Sequence, residues 1–417
     1  MELRQAFAGL LTLSMFIMLG NMIKKDHFDY SIHVEDDRVE SLATIPYIVE
    51  RLQKQNGEQL KPCWNNNPPP ILEEAKESSK GFITFSLTNG PHYHISQIAD
   101  AVVVAGYLGA TLVLPEIKAS NNGPTINLGD IYDVQHILKK LNEVVRVTKT
   151  QPTHLTKGNP PPTVKVPNRV TQDYIVKKVL PIYKAKRILK IESYFPSSSS
   201  VTTTITTGNK NNSMDSFACN AMFGTLKLRS EIQEVVDSVV QRLRTLSHNL
   251  NSSQFIAVDL RAELLRNKCP KRDYAGKRVF YQAKEIAEFL KKIGFGEKTI
   301  VYVTQTKWSP NLDAFRHVFP KTWTQESLIS KRGKGKLLGS RSSELKKVID
   351  FYVCSESDIY VPSILDLFYT NVAGMRIASG KNQILVPNER ESPLASASDY
   401  MSPYISHKTH FVYSCFC

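Results

Sequence analysis

The chain has 417 residues, 41% of them hydrophobic and 22% charged, which allows a sizeable core and excludes both a low-complexity chain and a small disulfide scaffold. Lysine and arginine number 53 against 39 acidic residues, a net charge of +14. Such a balance favours phosphorylated or polyanionic partners, but the basic stretches Lys271–Arg278 and Lys331–Lys347 do not alternate aromatic with basic residues, so nucleic acid is not an expected partner.

A short tail, 1–5, precedes Ala6–Ile23, 18 residues without a charge. That is close to the ~20 a bilayer span requires, and no small-residue cleavage pattern follows Gly20. The reading is an uncleaved transmembrane signal-anchor. Lys24, Lys25 and His27 outnumber Arg4 on its flanks, which by the positive-inside count opposes a cytosolic N-terminus. The sequons at Asn211 and Asn251 require the opposite, a body in a lumen. Residues 24–79, with the run Asn65–Pro70, read as a stem.

A folded body begins at about residue 80. Gly81–Leu87 reads as a buried strand, Tyr93–Leu108 as a helix and Ala110–Pro115 as a second strand, a βαβ unit that implies a parallel sheet. Val144–Thr148, Val164–Val166 and Ile188–Tyr194 are further strand candidates, and Ser197–Ser213 is a polar insertion. An amphipathic helix is predicted over Ser230–Leu246, with Ile232, Val235, Val236, Val239, Val240 and Leu243 facing the core.

Alternation then resumes. Strands are expected at Phe255–Leu260, Thr299–Thr304 and Gln383–Pro387, and helices at Tyr281–Ile293, Leu312–Val318 and Ser363–Val372. A helix from Ser343 leads into the strand-like run Val348–Val353, beside which Cys354 reads as a buried thiol. The six cysteines permit up to three disulfides of unassigned connectivity. The expected fold is α/β, with two Rossmann-like domains, 80–250 and 251–417, facing a cleft. Ligands in such sheets bind outside the carboxyl ends of the strands.

No Walker A, G-x-S-x-G, H-E-x-x-H or Asp-x-Asp occurs, so no metal or other cofactor is expected. His92 and His94 offer two imidazoles without a third ligand. Without a metal, a departing diphosphate needs cationic side chains and helix N-termini. Arg261, directly after the strand Phe255–Leu260, is placed for this, and Asp259 is either its structural partner or part of the same site. The turn Asn89-Gly90 opens a helix whose backbone N–H groups suit a phosphate or sugar hydroxyl. Asp350, Asp358 and Ser363 are candidate nucleotide contacts, or ordinary caps. His92, with an ordinary imidazole pKa near 6.5, is a candidate acceptor-side base.

The triplet Asp259-Leu260-Arg261 resembles the His-Leu-Arg element of the plant protein O-fucosyltransferase-like glycosyltransferases. Ile98–Ala105 followed by Ala110–Pro115 looks like the first βαβ unit of that family, and Val348–Val353 with Ser357–Pro362 resembles its C-terminal signature. The opening LRQAFAGLLTLSMFIMLG, the segment GFITFSLTNGPHYHISQIADAV and the ending SPYISHKTHFVYSCFC narrow the resemblance to the mannan-synthesis-related subgroup.

The resemblance implies a GT-B-like fold, a type II Golgi membrane protein with a luminal body, and metal-independent, inverting transfer from a nucleotide sugar, a GDP-sugar, to a glycan acceptor. It implies a part in mannan or glucomannan synthesis in the plant cell wall. The alternative is an inactive luminal scaffold supporting a mannan synthase. Two positions depart from the family pattern. The usual Gly-Leu-Asn, with an arginine three residues on, is here Gly90-Pro91-His92 and Ile95, and the usual histidine before Leu-Arg is Asp259.

Overall fold

Along β1 (Phe82–Thr88) half-buried and buried positions alternate, with Ile83, Phe85 and Leu87 in the core, the two-residue period of a strand. The computed structural model describes residues 60–63, 81–118, 125–150, 160–195, 216–250, 254–261, 280–305, 308–329, 342–387 and 396–416. All lie in one compact unit, Leu52–Cys417. The predicted anchor, most of the stem, the polar insertion, both sequons and most of both basic stretches lie outside the described residues. Among the described residues no helix is long and apolar enough to cross a membrane.

The first sheet adds β2 (Thr111–Val113), β3 (Glu116–Lys118), β4 (Thr125–Ile126), β5 (Val147–Thr148), β6 (Thr163–Pro167) and β7 (Ile188–Tyr194). Its strands are parallel apart from the β3–β4 pair, and β1 lies between β7 and β2. Helix α1 (Pro91–Leu108) leaves the end of β1, with proline in its first turn and Gly109 closing it at φ 59°. Helix α2 (Ser216–Phe223) packs on α1.

The second sheet is fully parallel, in the order β10 (Thr322–Thr324), β9 (Ile300–Val303), β8 (Phe255–Asp259), β11 (Ile359–Pro362). Every residue of β8, β9 and β11 is buried, as in a parallel sheet covered on both faces. Helix α3 (Ser230–His248) buries the six residues assigned to its apolar face. It packs on β8 and β9.

Two predicted strands are corrected. Val348–Val353 lies inside helix α5 (Ser342–Glu356), which follows α4 (Ala283–Lys292). The helix packs against α1, α3 and β8 as well as its C-terminal neighbour, and a helix buried on several sides has an apolar run that reads like a strand. Gln383–Pro387 makes only isolated bridges, Ile384 to Tyr360 and Leu385 to Met401. Helix α6 (Leu367–Ala378) starts at Leu367 rather than Ser363, because Asp366 caps it.

Cys219 of α2 is bonded to Cys415. Cys63 is also in a disulfide, while Cys354 is a free, buried thiol. The segment at Cys415 therefore returns to the first sheet's side, where Phe223 packs on Phe411 and Phe416.

Arg376 of α6 is fully buried. Its Nη1 donates to the carbonyls of Cys354 (3.1 Å) and Ser357 (2.5 Å), and its Nη2 to those of Asp358 (3.0 Å) and Gln383 (2.9 Å). A cation thus closes the carbonyl end of α5, where orphan acceptors and the helix dipole favour one. Arg376→Met should destabilise the protein by at least about 3 kcal/mol, since several buried acceptors lose their donor. Equilibrium urea unfolding measures this, and a loss below 1 kcal/mol would show the carbonyls satisfied otherwise.

Candidate active site

Asp259, the last residue of β8, is fully buried, so its charge must be met locally. Arg261 Nε and Nη2 donate to its two oxygens at 2.8 and 2.7 Å, and Thr304 Oγ1 donates to Oδ1 at 3.0 Å. The Asp259 carbonyl accepts from the backbone N–H of Ser363 (3.1 Å) and from its hydroxyl. Three neighbouring strand ends thus converge on one residue, two on its carboxylate and one on its backbone carbonyl.

Arg261 Nη2 reaches further, to both oxygens of Asp366 at 3.0 and 3.1 Å. Asp366 Oδ1 in turn accepts from the N–H groups of Phe368 (3.0 Å) and Tyr369 (3.2 Å), the first turn of α6. The guanidinium carbon lies 4.0 Å from the centre of the Phe368 ring, a cation–π contact. Burial alone would lower the Arg261 pKa, but Asp259 and Asp366 outweigh it and hold the pKa well above its ordinary value.

The turn after β1 faces this group. Asn89 (φ 65°) and Gly90 (φ 98°) are both left-handed. A Cβ on Gly90 would sit 3.1 Å from Cδ of Lys347, so the close approach of the α5 lysine requires glycine. The His92 ring meets Phe368 edge-on at 5.2 Å, and its carbonyl accepts from Asn371 Nδ2 of α6 at 2.5 Å. Its Nδ1 is buried without a hydrogen-bond partner.

The surroundings of His92 bear on the proton-transfer role expected of it. Burial, then Arg261, His94 and Lys347, lower its pKa well below 6.5, so it is a neutral, weakly basic imidazole at physiological pH. His94 donates to or accepts from the Tyr132 hydroxyl (2.8 Å), and its pKa is lowered to about 3 by burial and Lys347.

Of the other candidates, Ser363 commits its hydroxyl to the Asp259 carbonyl. Asp350 of α5 accepts from the buried Tyr302 hydroxyl and makes no hydrogen bond to Arg261. Asp358 lies at the opposite, amino end of the sheet, where it accepts from Phe255 N at 3.0 Å and pairs with Arg244 at 3.7 Å. It is not a nucleotide contact at the same mouth as Arg261, because parallel register puts the whole length of β8 between them. The structure thus brings together Arg261, Asp259, Ser363, His92 and Gly90, with exposed Asn89 at the rim.

Sequence reasoning missed Asp366, Phe368, Thr304, Asn371 and Lys347. Asp366 had a readable signal, an aspartate directly before the apolar run Leu367–Tyr369.

The sequence profile described as GDP-fucose protein O-fucosyltransferase matches residues 87–378. The protein named MANNAN SYNTHESIS-RELATED from Trigonella foenum-graecum is 59% identical over 423 residues, covering 100% of this chain and 99% of its own. MANNAN SYNTHESIS-RELATED 1 from Arabidopsis thaliana is 44% identical, with 100% and 99% covered. Among solved structures, POFUT1 in complex with GDP aligns at TM-score 0.44 and 15% identity, over 74% of this chain and 98% of that one.

Burial, chiefly, raises the Asp350 pKa from 3.8 to about 7. A carboxyl raised on folding binds its proton more tightly in the folded state. Its favourable contribution is therefore complete below about pH 4 and is lost as pH rises to about 7. Asp350→Asn should remove that decline, so the variant gains stability relative to wild type from pH 4 to 7. Parallel denaturation midpoints with no pH-dependent difference would show that Asp350 is ionised and compensated.

Proposed function

The chain belongs to the GDP-fucose protein O-fucosyltransferase family, and on that premise we propose that it is a glycosyltransferase taking a sugar from a GDP-sugar to a glycan acceptor. One observation carries the reading: a partly buried arginine lies two residues past the end of a parallel strand, beside the N-terminus of one helix (α6) and opposite the N-terminal turn of another (α1). Charge that develops on a departing diphosphate is stabilised by such preorganised donors. Arg261 would supply a fixed cation and the first turn of α6 backbone N–H groups.

The proposed transfer is inverting and needs no metal. We place it in mannan or glucomannan synthesis of the plant cell wall, a reading supported by relatives that bear the name MANNAN SYNTHESIS-RELATED. Burial weakens His92 as a base, and its carbonyl, held by Asn371, positions the turn. The body is placed in the Golgi lumen, behind an N-terminal type II anchor. The Cys219–Cys415 disulfide supports that placement, because such bonds persist in oxidising compartments.

A second reading, an inactive scaffold supporting a mannan synthase, is favoured by the same arginine. Two carboxylates already face one guanidinium, and Ile95 stands where the usual family pattern has an arginine. A purified protein that neither binds GDP nor transfers sugar, yet restores mannan to a deficient plant, would establish this reading instead.

Arg261→Lys keeps the charge but not the bidentate fork. Transfer by the Lys variant should fall by about 10²-fold or more, whereas EDTA should leave wild-type transfer intact. Arg261→Ala is less informative, since an unpaired, buried Asp259 destabilises the fold. Full activity of the Lys variant, or an absolute Mn²⁺ requirement, would overturn the mechanism.

The luminal placement predicts glycans on Asn211 and Asn251. Endoglycosidase should increase electrophoretic mobility of the expressed protein, and the body should resist protease in sealed vesicles. An unchanged band and a digested body would place it in the cytosol.

A further inference from the structure

Asp366 has no obvious reason to be an anion facing Arg261, since Asp259 already neutralises that cation in fully buried surroundings. Three donors converge on the Asp366 carboxylate: Arg261 Nη2 and the N–H groups of Phe368 and Tyr369. A guanidinium together with a helix N-terminus is the donor set that holds a phosphate.

We propose that the Asp366 carboxylate is an internal occupant of the anion seat, and that the donor's diphosphate binds by displacing it. The inference rests on the glycosyltransferase reading for the identity of the nucleotide, but not for the existence of the seat. The two aspartates differ in what they can yield. Asp259 is fully buried and tied to Thr304 and Arg261. The Asp366 side chain is 30% exposed, and among the described residues its carboxylate oxygens meet only the donors of the seat.

A second observation points the same way. Among the described residues His92 Nδ1 is buried without a hydrogen-bond partner, and its ring lies against Phe368, whose N–H lines the seat. One guanidinium against two carboxylates leaves the apo seat with excess negative charge. A ligand must therefore move Asp366 aside, and a singly charged one offers the donors no more than Asp366 does, whereas a diphosphate brings more acceptor oxygens to them. The ligand class selected is thus a nucleoside diphosphate rather than a monoanionic or neutral nucleoside.

The test is calorimetric titration of the full chain in detergent with inorganic pyrophosphate and, separately, GDP. Asp366→Ser and Asp366→Asn both remove the charge and preserve a capping side chain. Each should bind pyrophosphate at least ~10-fold more tightly than wild type. Unchanged or weaker pyrophosphate binding by both variants would overturn the proposal, and so would failure of both to fold, which would make Asp366 a structural ion-pair residue. The GDP arm separates the two ideas. A gain for pyrophosphate with no GDP binding by any form leaves the seat standing and removes the nucleotide reading. GDP binding by wild type with no gain in either variant does the reverse.

Discussion

The second half of the molecule is organised around one guanidinium at a strand end, that of Arg261. Arg261 ties the end of β8 to the start of α6 through two aspartates, while Thr304 after β9 and Ser363 after β11 hold Asp259 from either side. Taking an ion pair out of water is favourable only when the remaining hydrogen-bonding capacity is met. That requirement accounts for the Thr304 hydroxyl on the carboxylate, while Ser363 satisfies the backbone carbonyl of the same residue.

Contact between the turn after β1 and the second sheet's helices is equally constrained. Asn371 Nδ2 reaches the His92 carbonyl and Ser96 Oγ, at 2.5 and 3.2 Å. The Lys347 stem lies against Gly90 while its ammonium pairs with buried Glu344 at 2.6 Å. Backbone, rather than side chains, therefore forms much of this wall, and a glycine with left-handed φ is the condition for it.

Elements with a clean period were legible. The β1–α1–β2 unit and the apolar face of α3 follow from periodicity alone. Arg261 was legible because it directly follows an apolar strand. Val348–Val353 was not, because burial on several sides erases the helical stripe. Asp358 was misplaced since a carboxylate next to a strand does not reveal which end of the sheet it occupies. The basicity of His92 was misjudged because desolvation arises from Phe368 and other residues remote in sequence. Partners such as Asp366, 105 residues from Arg261, emerge only when the chain is folded.

The covalent tie between Cys219 and Cys415 bears on how the polypeptide is made. The two positions are 196 residues apart. At translation rates of roughly 5–20 residues per second, Cys219 emerges about 10–40 s before its mate exists. Throughout that interval α2 presents an open thiol to whatever oxidases and half-made chains surround it. Phe223, which finally packs on Phe411 and Phe416, is uncovered for the same period. Maturation of the first half thus waits on a segment made 196 residues later, and a nascent chain must be sheltered until then.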